Sequence, residues 1–175
     1  RPQELLRLLK SIDSKNPELF EIVICDDKSP LVQQVREVVA GFTKNSPYRV
    51  VFKENQNNLG YDKNLKELIK SATGEWIIFM GNDDEFIAGS LDKLFGFLKA
   101  NSELGYVLKS HERIYPNGKA EKFRYFEGNK FFNPGYQAYI SLFRKSVFIS
   151  GFIIRRDLIR SILTDDFDGT LLFQL

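Results

Sequence analysis

A chain of 175 residues with 43% hydrophobic content can close a sizeable core within one domain and is not a disordered segment. Its 25 basic and 23 acidic side chains leave a net charge of +2, which carries no nucleic-acid signature. A single cysteine excludes an internal disulfide framework and any multi-cysteine zinc site, and no apolar run approaches the roughly 18 residues that span a bilayer.

Pro2 suits the first turn of a helix, and Leu5, Leu8, Leu9 and Ile12 then recur with helical spacing. A β-type run over 20–25 breaks at Asp26-Asp27-Lys28-Ser29-Pro30. Leu31, Val35, Val38, Val39 and Phe42 mark a second helix, 48–52 a strand, and Asn55-Gln56-Asn57-Asn58-Leu59-Gly60 a loop of turn formers. Leu65, Leu68, Ile69 and Ala72 give a third helix, closed by Gly74. A strand over 75–80 and a helix through Leu91, Leu94, Phe95 and Leu98 follow. This alternation predicts parallel βαβ units, so residues 1–103 read as a doubly wound α/β half.

The pattern then changes. Strands over 106–115 and 119–126 flank Pro116-Asn117-Gly118 as a hairpin; a strand over 147–154 and a short helix over 157–163 come later. The aromatics Phe131, Phe132, Tyr136, Tyr139 and Phe143 read first as core or lid packing, with an acceptor or lipid-carrier site as the alternative. The lone His111 reads as a surface or packing residue. The chain enters a helix directly after Arg1 and stops in mid-pattern at Leu171-Leu172-Phe173-Gln174-Leu175, so it is expected to be a fragment truncated at both ends. With no signal peptide visible, a cytoplasmic location is the default, and docking at the inner face of the plasma membrane stays open.

The chemistry concentrates at strand ends. In Trp76-Ile77-Ile78-Phe79-Met80-Gly81-Asn82-Asp83-Asp84-Glu85 an apolar run stops abruptly in adjacent acids. Carboxylates cannot continue into such a core unpaired, so the chain must surface with Asp83 and Asp84 at the carboxyl edge of a sheet. Two acids there suit a hard divalent cation that in turn holds phosphate. Asp26 and Asp27 repeat the logic after the first strand, where the competing reading is a cap on the next helix. In Asn58-Leu59-Gly60-Tyr61-Asp62-Lys63-Asn64, Gly60 permits a tight turn. Lys63 opposes the helix dipole, which an anionic diphosphate would explain, and Asn64 is placed to tie the loop down.

Taken in order, these segments resemble the family 2 glycosyltransferases of the GT-A fold. That family's Asp-Asp-Gly-Ser, its Asn-x-Gly with a following basic residue and Asn, its Ala-x-Gly-Glu-aromatic and its Asp-x-Asp-Asp have counterparts here. They are Asp26-Asp27-Lys28-Ser29, Asn58-Leu59-Gly60 with Lys63-Asn64, Ala72-Thr73-Gly74-Glu75-Trp76, and Gly81-Asn82-Asp83-Asp84. The resemblance implies an α/β GT-A fold: a Rossmann-like, mostly parallel sheet flanked by helices, with a smaller acceptor-side part. Residues 1–103 would bind the nucleotide-sugar and residues 104–175 would form the incomplete acceptor side.

It also implies a metal-assisted, inverting transfer of sugar from a nucleotide-diphosphate sugar to a saccharide or lipid-linked saccharide, in bacterial surface-glycan synthesis. Asp26 and Asp27 would sit by base and ribose; Gly60, Lys63, Asn64, Asn82 and Asp83 would complete the donor site. Asp83 and Asp84 would hold Mg²⁺ or Mn²⁺, and Asp168 or Asp166 is the candidate base. Three departures stand out. Gly81 replaces the first acid of the four-residue motif, the family's opening strand is absent with Arg1 as a remnant of its Tyr-Asn-Arg, and the acidic pair near the end has no firm counterpart. A phosphoacceptor receiver domain using Lys109, or an inactive nucleotide- or carbohydrate-binding module, are the rival readings.

Overall fold

The chain is described from a computed structural model, which covers residues 1–143, 145–166 and 168–169. The closing run at 171–175 lies outside the described residues. The first half follows the expected alternation: α1 (Pro2–Ser11), β1 (Glu21–Asp26), α2 (Val32–Asn45), β2 (Arg49–Glu54), α3 (Tyr61–Ser71), β3 (Trp76–Ile78) and α4 (Ser90–Ala100). Strands β1 and β2 pair in parallel along their whole length, from Glu21 opposite Arg49 to Asp26 opposite Glu54. Both strands therefore deliver their carboxyl ends to one edge, where the loops after Asp26 and Glu54 meet: the Asn55 N–H donates to the Asp26 carbonyl at 2.9 Å.

The second half departs from the simple pattern. The stretch over 106–115 is two strands, β4 (Tyr106–Leu108) and β5 (His111–Ile114), and β5 forms the expected hairpin with β6 (Ala120–Phe123). Gly118, at φ 80°, closes that turn. After α5 (Tyr136–Leu142), the predicted strand over 147–154 begins as a 3-10 turn, Ile149–Gly151, and extends only in β7 (Phe152–Arg155). The helix α6 (Arg156–Ser161) follows.

Strand β7 lies between β3 and β4, antiparallel to both, so parallel pairing is confined to β1 and β2 among the described residues. The turn over Ile149–Gly151 also explains why β3 is shorter than predicted: its partner is bent up to Gly151, just before Phe152, and the ladder stops at Ile78 opposite Ile153.

Two apolar clusters hold these layers. Leu5, Leu9, Val35 and Val39 pack α1 and α2 on β1 and β2. Leu65, Ile69, Ile77, Phe79, Phe152 and Ile159 pack α3 and α6 on the antiparallel sheet. Full burial of a side chain such as Ile69 or Ile153 contributes roughly 1.5–3 kcal/mol. Glu21 joins the two sheets at the edge opposite the site, its Oε1 accepting from the Thr73 N–H and hydroxyl at 2.6 and 2.8 Å. Among the described residues, no helix is long and apolar enough to cross a membrane.

Candidate active site

The first acidic pair is divided between two tasks. Asp26 is buried, and its carboxylate accepts from the Ser29 N–H and hydroxyl, both at 2.7 Å. It caps the turn over 26–29 rather than helix α2, which begins at Val32. Asp27 reaches across to the loop before α3. Its Oδ1 accepts from Asn55 Nδ2 (2.9 Å) and the Leu59 N–H (2.8 Å), and its Oδ2 accepts from the Gly60 N–H (2.8 Å). Asn55 Nδ2 also donates to Asn64 Oδ1 at 3.0 Å, so one amide links both loops to the first turn of α3. Gly60 holds φ 80° at the N-cap of α3, which the absence of a Cβ permits. Asn55 is the residue that motif reading misses here; its place at the head of the turn-forming loop, directly after β2, is the only signal for it.

Lys28 stands where the family pattern has glycine, and its φ is 57°. A left-handed backbone costs a side chain roughly 1–2 kcal/mol. Lys28→Gly is therefore expected to raise stability by about 0.5–1 kcal/mol after glycine's own entropy cost, and Lys28→Val to lower it. Urea melts of the two variants check both signs.

At the end of β3 the chain turns over Gly81. A Cβ at that position would lie 3.0 Å from Asp84 Oδ2, 3.1 Å from Asp83 Oδ1 and 3.6 Å from Ser150 Oγ. Both carboxylates thus lean over the volume that glycine leaves open. Ser150 fixes the arrangement: its hydroxyl accepts from the Gly81 N–H (2.7 Å) and donates to Asp84 Oδ2 (2.6 Å). The 3-10 turn that shortens β3 is what brings Ser150 here. Asp83 Oδ2 meets Arg1 Nη1 at 2.6 Å, in a bridge whose two side chains are more than half exposed. Such a pair contributes at most about 1 kcal/mol. Asn82 is exposed beside it.

Among the described residues no group of three or more His, Cys, Asp or Glu side chains is placed to hold a metal. Two convergent carboxylates nonetheless fit Mg²⁺ or Mn²⁺, because such ions take one or two protein carboxylates and complete their shell with phosphate and water oxygens.

The late acids gather on α3 instead. Lys66, nearly buried, donates to Asp165 at 2.8 Å and to Asp168 at a shorter contact. Burial alone would lower the Lys66 pKa, but these carboxylates outweigh it and raise it. Lys63 Nζ lies 3.8 Å from Asp168 Oδ2, and the Gly169 N–H donates to Asp62 at 2.9 Å. Asp166 is exposed, with its N–H on the Thr164 hydroxyl. Lys63 therefore faces Asp168 rather than standing apart from any acid.

The family model "Glycosyl transferase family 2" matches residues 1–163. The chain belongs to that family.

Its relatives include an uncharacterised glycosyltransferase of Methanocaldococcus jannaschii, 24% identical over 138 residues, covering 75% of this chain and 47% of the relative. The GalNAc(5)-diNAcBac-PP-undecaprenol beta-1,3-glucosyltransferase of Campylobacter jejuni is 31% identical over 104 residues, 59% of this chain and 32% of that protein. The abequosyltransferase RfbV of Salmonella typhimurium is 25% identical over 104 residues, 59% of this chain and 31% of that protein. The chain thus spans less than half the length of these relatives. In structure it is similar to S. aureus TarS 1-349, with a TM-score of 0.72 at 17% identity, over 98% of this chain and 49% of that one. At that identity the likeness shows the GT-A fold alone.

Two groups of this family 2 chain flank the Asp84 corner without belonging to the quoted motifs. Lys109 follows β4; its N–H donates to the Gly151 carbonyl at 2.6 Å, and its ammonium lies 5.9 Å from the Phe86 ring centre. Burial pulls its pKa down to about 8, against the field of Asp84. His111 packs among Phe123, Phe148 and Tyr125, as a packing residue should, and burial and then the charge of Arg113 lower its pKa.

The Lys109 shift has a thermodynamic sign. The unfolded chain keeps that proton up to about 10.5, whereas the folded chain releases it near 8. Stability is therefore expected to rise by roughly 1–3 kcal/mol as pH climbs through this window. Lys109→Met should flatten the rise in denaturant melts, and an unchanged slope would refute the assignment.

Proposed function

We propose that this chain is the donor-binding part of a glycosyltransferase. It would move a sugar from a nucleotide-diphosphate sugar to the hydroxyl of a saccharide or lipid-linked saccharide, with inversion, in bacterial surface-glycan synthesis. The observation that carries the reading is the convergence of Asp83 and Asp84 over Gly81, at the end of a buried strand. The loop held by Asp27, with Gly60 and Asn64, supports it as the wall of the nucleotide site. The Campylobacter relative is named for a PP-undecaprenol acceptor, which supports a lipid-linked acceptor and peripheral membrane association here.

Asp83 and Asp84 would hold Mg²⁺ or Mn²⁺. When bound, the ion supplies positive charge to the leaving diphosphate. Ser150 orients Asp84 for this task through its hydroxyl. Asn82, exposed between the acids and the strand, would offer its amide to ribose or phosphate. Of the candidate bases, Asp168 is engaged by Lys66, which leaves Asp166 the freer carboxylate to accept the acceptor's proton. Residues 1–103 form the donor half in this reading and 104–175 the acceptor side. A thermal-shift panel of nucleoside diphosphates and nucleotide-sugars on the full-length protein tests it. Stabilisation by at least one nucleotide is expected, and a panel with no response overturns it.

A further inference from the structure

Of the five aromatics read as core or lid packing, Phe132 is half-buried, while Phe131, Tyr136, Tyr139 and Phe143 are exposed and so do not pack in a core. Helix α5 buries no residue. Tyr136, Tyr139 and Ile140, at 74%, 54% and 51% exposure, recur with Phe143 at helical spacing and share one face. Phe131 and Val147, at either side of the helix in sequence, are also more than half exposed. Scattered apolar residues on a surface need no explanation, but a contiguous face does.

The charge along this stretch is one-sided. Residues 128–148 contain Lys130, Arg144 and Lys145 and no aspartate or glutamate, Glu127 being the acid that borders them. Lys130 lies 5.3 Å from the Phe126 ring centre and 5.1 Å from that of Phe132; Lys145 lies 5.5 Å from Phe126. The exposed Lys130 is thus held against aromatic rings, and the half-buried Lys145 also donates to the Ser141 carbonyl of α5 itself. Tyrosine suits a boundary between apolar and wet surroundings, because its ring can be buried while its hydroxyl stays hydrated. A second copy is a poor occupant, since facing stripes would bring Lys130 and Lys145 of both copies together. An anionic surface with an apolar layer beneath it satisfies both halves of the pattern.

We propose that the α5 face docks this protein on an anionic phospholipid bilayer, with Tyr139 and Ile140 entering the interface and Lys130 and Lys145 meeting lipid phosphates. The proposal deepens the peripheral association suggested above and rests on it only for its biological purpose.

Vesicle flotation of the full-length protein tests it, with phosphatidylcholine alone and with phosphatidylcholine mixed with phosphatidylglycerol. Binding to the anionic vesicles only, weakening with salt, is expected. The double variant Tyr139→Ser, Ile140→Ser should bind about ten-fold more weakly or worse. Lys130→Gln should bind roughly five-fold more weakly, the ratio that corresponds to about 1 kcal/mol per basic residue. Both variants should keep the wild-type melting temperature and nucleoside diphosphate affinity, which separates failure here from failure of the transferase reading. No flotation of the wild type, or equal flotation of wild type and variants, overturns the proposal. So does a dimer that only the double variant breaks, or a Tyr139 already shielded from chemical modification in the lipid-free full-length protein.

Discussion

Asp27→Ala is expected to unlatch the loop before α3 and to weaken nucleotide binding together with stability. The carboxylate accepts three hydrogen bonds, from Asn55 Nδ2 and from the Leu59 and Gly60 N–H groups. Bonds to a charged acceptor are each worth about 1.5–3 kcal/mol, but these donors lie near the surface, where water replaces part of the loss. The net cost should be about 1–3 kcal/mol in denaturant melts. Binding should suffer separately: a loop no longer preorganised must be ordered by the ligand, and each 1.4 kcal/mol of ordering weakens affinity roughly ten-fold.

Asp27→Asn sharpens this expectation. The amide keeps one acceptor but turns an NH₂ group towards a donor that the lost oxygen had bonded. If Asp27 acts by holding the loop, the asparagine variant should recover only part of the stability, and binding should track stability across the two variants. If Asp27 instead touches the ligand, binding should fall well below what the melts account for. Calorimetry with the nucleoside diphosphate selected by the panel, alongside the melts, separates these outcomes.

The reach of the sequence follows from which interactions are local. The βαβ alternation through residue 100 shows in the periodicity because each helix carries its own buried stripe, Leu65 and Ile69 on α3 for example. The positions of Asp26, Asp27, Asp83 and Asp84 at strand ends are likewise local facts, since acids must leave the core where the apolar run stops. What each carboxylate binds is not local. Nothing near Asp27 in sequence points to Leu59 and Gly60, 32 and 33 residues away, or near Asp84 to Ser150, 66 residues away. The same holds for β7, whose antiparallel insertion between β3 and β4 joins segments that periodicity reads separately. For the aromatics of α5, the spacing is right for a core face. Only the tertiary arrangement shows that nothing among the described residues buries it.

Asp83→Ala should produce the largest functional loss, and its form follows from the small number of acids at the site. With two carboxylates leaning over Gly81 and no third acid placed to join them among the described residues, protein groups alone make a weak cation site. Mn²⁺ by itself is therefore expected to shift the melting temperature little, nucleoside diphosphate by itself modestly, and the two together by clearly more than their sum, because phosphate oxygens complete the shell. The Arg1 bridge does not compete strongly, being an exposed pair. Asp83→Ala should abolish this synergy and lower transfer by roughly 100-fold or more, in line with the several kcal/mol that a bound cation contributes to charge stabilisation. Gly81→Ala should reproduce a milder version, since its methyl would sit 3.0 Å from Asp84 Oδ2 and 3.1 Å from Asp83 Oδ1 and push both carboxylates apart. A Mn²⁺ shift as large without nucleotide as with it would show that ligands beyond this pair hold the metal. Undiminished transfer by Asp83→Ala would remove Asp83 from the site altogether.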